Sequence, residues 1–347
     1  MPLFKSDGLA TSRVLNASPH RTLRRLSMAL GFAMSMSACG GGGNASAAHT
    51  PAGLEQVAQR GFPVAGPWVS FYGGAHAVDL EKMSRTYRIF DIDADPHIAN
   101  FTPAHIQKLQ NSGQNKVLSY LNIGSCEDFR SYWKSVPPGF VSCSDNQAAQ
   151  LGRYAGYADE VWMNPGNAAY QKLIVEHVAP RLVAQGIDGF YFDNLEIVEH
   201  GTATTNGQCD AACSQGGLNL VAQLRNKYPN LLFVMENATS DRTRLGVATS
   251  ASGTVDFPSL LDGIAHEEVY KPTPDASAES ELLKWAAMGL KPGGHPFWIG
   301  TLDYVGSCAN QAEAQAAFRS SRARGFAPSV SDASASQQTV CYWPSNW

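Results

Sequence analysis

No run of apolar residues in this chain approaches the roughly 18 that a membrane-spanning helix needs. There is no Gly-X-Y period and no sustained heptad, which excludes collagen-like and coiled-coil architectures. Neither G-x-G-x-x-G nor G-x-x-x-x-G-K-[ST] occurs, so nothing favours a nucleotide-binding fold. His97, His105, His200, His266 and His295 form no H-E-x-x-H and no zinc spacing, and no cofactor or metal is expected. Charge is scarce as well. Only 16% of the 347 residues are charged while 44% are hydrophobic, which excludes a disordered protein.

The unusual stretch is the N-terminus. Lys5, Arg13, Arg21, Arg24 and Arg25 precede the short apolar run 26–38, which ends in small residues before Cys39 and four glycines. A basic segment, a short apolar segment and a small-residue exit describe a bacterial export signal. Met36-Ser37-Ala38-Cys39 resembles a lipobox, which makes Cys39 the expected lipidation site. Residues 1–38 therefore read as a signal peptide of lipoprotein type, and 39–64 as a flexible Gly/Ala/Ser-rich linker. The expected location is the periplasmic or cell-surface face of the outer membrane, or the medium, with the lipid as the sole membrane contact. Removing 1–38 leaves 21 basic and 29 acidic residues, about −8 instead of −4. That balance argues against nucleic acid and suits a neutral or cationic partner.

Six cysteines follow Cys39: Cys126, Cys143, Cys209, Cys213, Cys308 and Cys341. An even number in an oxidising compartment reads as disulfides. Fifteen pairings are possible for six cysteines. Sequence neighbours favour 126–143, 209–213 and 308–341.

From Trp68 onward, short runs rich in Val, Ile, Phe and Tyr alternate with helical patterns. Strands are expected at 68–72, 87–92, 116–122, 189–193, 231–236, 263–267, 296–302 and 327–330. Helices are expected at 102–111, 168–185, 218–228, 277–288 and 311–324. Long insertions are expected at 123–165 and 194–216. Eight strands with intervening helices favour an α/β chain folded as a (β/α)₈ TIM barrel, one domain over 65–347.

Polar residues recur at the C-terminal ends of these strands, where such barrels build their sites. They include Asp91 and Asp93, Tyr120, Asp193 and Asn194, Glu236 and Asn237, Glu267, and Tyr304, with Glu127 just beyond the third strand. A ring of carboxylates, amides and Tyr at one mouth is what sugar hydrolysis needs. One carboxyl group protonates the leaving oxygen and a second attacks or stabilises the sugar carbon. Plainer readings exist for each. Asp193 could cap the next helix, and Glu236 could be a strand-end charge held by a helix N-terminus. Strand alternation lets only one of Glu267 and Glu268 face the axis. Asp91-x-Asp93-x-Asp95 opens like a calcium loop, but Pro96 and Thr102 stand where its Gly and closing Glu belong.

Tyr120-Leu-Asn-Ile-Gly124-Ser125-Cys126-Glu127-Asp128-Phe129-Arg130 and Gly186-Ile-Asp-Gly-Phe-Tyr-Phe-Asp193-Asn194 are similar to motifs of glycoside hydrolase family 114. Met235-Glu236-Asn237-Ala238, His266-Glu267-Glu268-Val269-Tyr270, Pro296–Tyr304 and Arg324-Gly325-Phe326 resemble later segments of that family. The resemblance runs from about Trp68 to Asp332. It implies a barrel with endo-α-1,4-polygalactosaminidase-like activity on a galactosamine-containing polysaccharide. It implies Asp193 as nucleophile and Glu267 as general acid/base. Asp91, Asp93, Tyr120, Glu127, Asn194, Glu236, Asn237 and Tyr304 would line the sugar site. Three departures stand out: Glu236 replaces a Lys, Trp162-Met163-Asn164 replaces W-L-D, and Val269 replaces a Cys. They point to a changed rim, so another amino-sugar exopolysaccharide is a second reading. A non-catalytic polysaccharide-binding lipoprotein is a third.

Overall fold

The structure, a computed structural model, describes residues 66–344. The expected signal peptide, Cys39 and the whole linker lie outside the described residues.

Eight strands pair in chain order, each parallel to the one before: β1 (Trp68–Phe71), β2 (Ile89–Ile92), β3 (Lys116–Asn122), β4 (Gly189–Asp193), β5 (Leu232–Glu236), β6 (Gly263–Glu267), β7 (Trp298–Val305) and β8 (Ala327–Asp332). They form a nearly closed barrel. The Trp68 indole N–H crosses the seam from β1 to donate to the Ala327 carbonyl of β8 at 2.8 Å.

Alternation along the strands sorts side chains between two cores. Trp68, Ile89, Leu118, Tyr191, Leu232, Val234, Ala265, Trp298, Leu302 and Tyr304 pack together inside the barrel. Phe90, Phe190, Phe192, Phe233 and Ile264 join the larger core under the helices. In β4 this puts Tyr191 inside and its two Phe neighbours outside. By the same period Asp193 returns to the inside at the strand tip.

The connections carry α1 (Leu80–Thr86), α2 (Pro103–Gln110), the helical run 168–183 (α3), α4 (Ala211–Lys227), α5 (Ala276–Ala287) and α6 (Gln311–Ala323). In α2 the Thr102 hydroxyl and the His105 side chain form a reciprocal cap, with Pro103 in the first turn. The run α3 has a π-helical turn over Ile174–Val178. No long helix follows β5. A short helix, Asp241–Arg244, and the hairpin Val247–Ser250/Gly253–Asp256 fill that place.

Two expectations change. The sequence pattern misses α1, which is about two helical turns capped by Asp79. Helix α4 begins seven residues before the expected Leu218, so the insertion after β4 is shorter than 194–216. Gly216 and Gly217 look like loop residues but sit inside α4 for packing. A Cβ on Gly216 would lie 2.1 Å from the Gly166 Cα.

The insertion after β3 folds into an antiparallel sheet of Ser125–Glu127, Gln150–Arg153 and Glu160–Met163. The cysteines pair as sequence neighbours: Cys126–Cys143, Cys209–Cys213 and Cys308–Cys341. Among the described residues no helix is long and apolar enough to cross a membrane.

Candidate active site

The inward positions at the C-terminal end of the barrel are polar on strand after strand. They are Asp91, Tyr120, Asn122, Asp193, Glu236, Glu267 and Tyr304, joined by Tyr72 just past β1. Asn194, Asn237 and Glu268, which follow Asp193, Glu236 and Glu267, all have left-handed backbone, with φ of 61°, 55° and 54°. Such conformations are uncommon outside glycine and cluster where geometry is functional. Here they turn the chain sharply and leave each carboxylate at its strand tip. Glu267 faces inward and Glu268 is exposed, as alternation requires.

Asp193 accepts the Tyr120 hydroxyl at 2.9 Å and the Asn194 N–H at 2.7 Å. It caps no helix. Burial, followed by the nearby Glu267 and Glu160 carboxylates, pushes its pKa up to about 7. The Tyr120 oxygen also lies 3.3 Å from Glu127 and accepts from Asn122 at 3.2 Å. A phenol has one proton, so the shorter contact directs it to Asp193.

Glu267 is held by three groups. The Tyr304 hydroxyl donates to Oε1 in a short contact. The Asn237 amide donates to Oε2 at 3.2 Å and accepts the Glu267 backbone N–H at 3.1 Å. Gln337 donates to Oε1 at 3.4 Å.

Two further carboxylates lie deeper. Asp91 is fully buried and accepts from Ser70 at 2.7 Å and Tyr72 at 2.6 Å. Burial pushes its pKa up to about 8 despite those donors. Glu236 accepts from Tyr191 at 2.8 Å, not from a helix N-terminus. Burial, then Glu267, Asp193 and Asp91, hold its pKa well above the ordinary range. Asp91, Asp193 and Glu236 are thus all pushed the same way, by burial first and by the charge of neighbouring carboxylates second.

Asp93 and Glu127 serve a different local purpose. Arg130 is buried and donates to Asp93 at 2.8 Å and to Glu127 at 2.8 and 3.2 Å. This ion network fastens the inserted sheet to the end of β2. Asn194 turns its amide to Ser125 at 2.9 Å and Glu160 at 2.7 Å. The structure thus brings Asp91, Tyr120, Asp193, Glu236, Asn237, Glu267 and Tyr304 into the mouth. Asp93, Glu127 and Asn194 bind the insertion beside it.

Sequence reasoning missed several residues. Tyr72 and Tyr191 were legible in principle, being in phase with Asp91 and Asp193. Glu160 is buried and accepts from Asn122, Ser125 and Asn194. Glu196, in the turn after Asp193, has a pKa raised well above the ordinary value by burial and by Asp193. Tyr157 is 53% exposed at the edge of the inserted sheet. Its ring leans edge-on against Tyr154 at 4.9 Å, and Tyr154 stacks on Trp162 at 4.1 Å. Burial, then Glu267 and Asp193, push the Tyr157 hydroxyl up to about 12. The Tyr154 hydroxyl donates to Glu196, in the turn after Asp193, at 3.4 Å, so the stack stands beside the mouth. Among the described residues no cluster of His, Cys, Asp or Glu has the arrangement of a metal site.

A family model described as glycoside-hydrolase family GH114 matches residues 52–257. That span includes Asp193 and ends before Glu267. An uncharacterized protein of Thermotoga maritima is 23% identical over 181 residues, covering 49% of this chain and 52% of the relative. The chain thus spans about half the length of that curated relative. The glycoside hydrolase domain of PelA from Pseudomonas aeruginosa superposes with a TM-score of 0.58 at 16% identity, over 80% of this chain and 99% of that domain. Aspergillus fumigatus Ega3, solved in complex with galactosamine, gives 0.53 at 15% identity, over 87% of this chain and 98% of Ega3. At these identities the two structures share the fold of this chain.

Proposed function

The chain belongs to glycoside-hydrolase family GH114, and from that premise we propose that it cuts internal α-1,4 bonds of a galactosamine-containing polysaccharide. Asp193 is the nucleophile and Glu267 the general acid/base. The observation that carries this reading is the pair itself. Two inward carboxylates stand at the tips of β4 and β6, each held by its own tyrosine hydroxyl.

In the first step the Glu267 carboxylic acid protonates the leaving glycosidic oxygen as Asp193 attacks the anomeric carbon. The C–O bond breaks and a glycosyl–Asp193 ester forms. In the second step the Glu267 carboxylate takes a proton from water, the water oxygen attacks the anomeric carbon, and Asp193 leaves. A double displacement of this kind retains configuration, and the anomer of the first-formed product checks it against inversion. The tyrosine and amide donors around both groups hold them for this exchange.

An amino-sugar substrate fits the acidic mouth. A protonated amine meets a group of carboxylates there, and the mature chain is acidic overall. Ega3 has been solved with galactosamine, which agrees with this class. Glu236, where the family usually has Lys, favours a second reading: the same chemistry on another amino-sugar exopolysaccharide. Reducing-end release from a panel of defined polysaccharides separates the two.

Asp193→Asn is expected to abolish cleavage of the polymer, and Glu267→Gln to slow it by about 10²–10⁴-fold. Wild-type rates in Asp193→Asn would sink the assignment, and tight binding without turnover by the wild type would favour a binding protein. Export and lipidation at Cys39 belong to the same proposal. Three disulfides suit an oxidising compartment. Loss of lipid labelling in Cys39→Ala tests the anchor, and wild-type chain that takes up no lipid would remove it.

A further inference from the structure

The segment after β8 returns to the barrel mouth and inserts Gln337 into it. This residue lies beyond the family-matched span and beyond the eighth strand. Its side chain is 6% exposed and its backbone is left-handed, with φ of 47°. The amide nitrogen donates to the Tyr304 hydroxyl oxygen at 2.8 Å and to Glu267 Oε1 at 3.4 Å. The Gln337 carbonyl accepts the Tyr72 backbone N–H at 2.8 Å, which fixes the residue against the end of β1. Four residues on, Cys341 is joined to Cys308 in the loop after β7, and its carbonyl accepts the Tyr87 hydroxyl at 2.9 Å. The tail is therefore tied at Gln337 itself and again four residues on.

The proton arithmetic gives this contact a consequence. Tyr304 has one hydroxyl proton and accepting lone pairs. With Gln337 donating to its oxygen, Tyr304 is left to donate its own proton, and Glu267 receives it. Chained donors of this kind strengthen one another inside a protein.

We propose that Gln337 is a positioning residue for this reaction, orienting the Glu267 carboxyl group directly and through Tyr304. The inference rests on Glu267 being the acid/base. Its function is to keep one Glu267 oxygen committed to the tyrosine, so that the other faces the scissile bond.

The test uses the full chain and two near-isosteric variants. Gln337→Met keeps the bulk and removes the donor. Gln337→Glu keeps the shape and replaces the donor with an acceptor. Both are expected to lower kcat/KM on an α-1,4-galactosamine polymer about tenfold, the size of one good hydrogen bond. On a nitrophenyl glycoside of a short galactosamine oligomer, whose leaving group needs no proton, the loss should stay below about twofold. Equal losses on both substrates, or wild-type rates in Gln337→Glu, would overturn the positioning role. Glu267→Gln runs alongside: if it alone is impaired, only the Gln337 inference falls. If it matches the wild type, the acid/base assignment falls first. A readout independent of turnover is carbodiimide labelling of Glu267, followed by peptide mass analysis. Labelling is expected to rise severalfold in Gln337→Met, and unchanged labelling counts against the inference whatever the substrate proves to be.

Discussion

As the proposed nucleophile, Asp193 is expected to set one limb of the pH profile. Its folded pKa of about 7 lies far above that of a free carboxyl, chiefly through burial and then through Glu267 and Glu160. A raised value means that the proton stays on until the pH exceeds it. A nucleophile must be ionised, so kcat/KM is expected to fall as pH drops through about 7. The Tyr120 hydroxyl favours the ionised form, and Tyr120→Phe should therefore move this acid limb to higher pH. A limb near pH 4 in the wild type would contradict the assignment. At the same scale, Tyr157 offers an exposed ring on an aromatic stack beside the mouth. Sugar rings present C–H faces that pack on such surfaces, and aromatic contacts of this kind contribute about 1 kcal/mol. Tyr157→Ala is expected to raise KM for the polymer roughly fivefold, with kcat nearly unchanged, since it acts on binding rather than on the transition state. An unchanged KM would remove Tyr157 from the substrate path.

At the scale of elements, the crossing of α4 over the turn at Gly166 depends on absent side chains. A Cβ on Gly216 would meet backbone atoms of Gly166 at 2.1 and 2.7 Å. Backbone cannot yield as a side-chain tip does, so Gly216→Ala should destabilise the fold by about 1–3 kcal/mol. A thermal melt checks this, and a Tm equal to the wild type would contradict it. This helix also marks the limit of what sequence could tell. The strands were legible because each is a short run rich in Val, Ile, Phe and Tyr, and Asp193, Glu236 and Glu267 stand at the C-terminal ends of three of them. Helix α2 announced itself through Thr102 and Pro103. The first turns of α4 did not, because a Gly pair reads as loop while its actual role is close approach. Helix α1 was too short for its apolar period to register. Gln337 was illegible for another reason: its partners lie 33 and 70 positions away.

At the scale of the whole molecule, the scarcity of charge acquires a meaning. Many of the few acidic residues converge on one end of the barrel, and the nearby Arg130 is consumed by Asp93 and Glu127. The field of such a surface draws in cationic polymer and is screened by salt. Raising ionic strength from low to physiological salt should thus lower kcat/KM on deacetylated galactosamine polymer and leave the fully acetylated polymer nearly unaffected. Equal salt sensitivity on both would show that steering plays no part.

Gly124 links the insertion to Asp193 more tightly than their separation in sequence suggests. Any side chain there would start 1.7 Å from the Asn194 carbonyl oxygen, in the turn that follows Asp193. The two turns are pressed backbone to backbone. For anyone redesigning specificity by exchanging the inserted sheet, the graft boundary cannot fall between them. A transplanted insertion must bring a glycine at its root, or the new loop will displace the turn that carries Asp193.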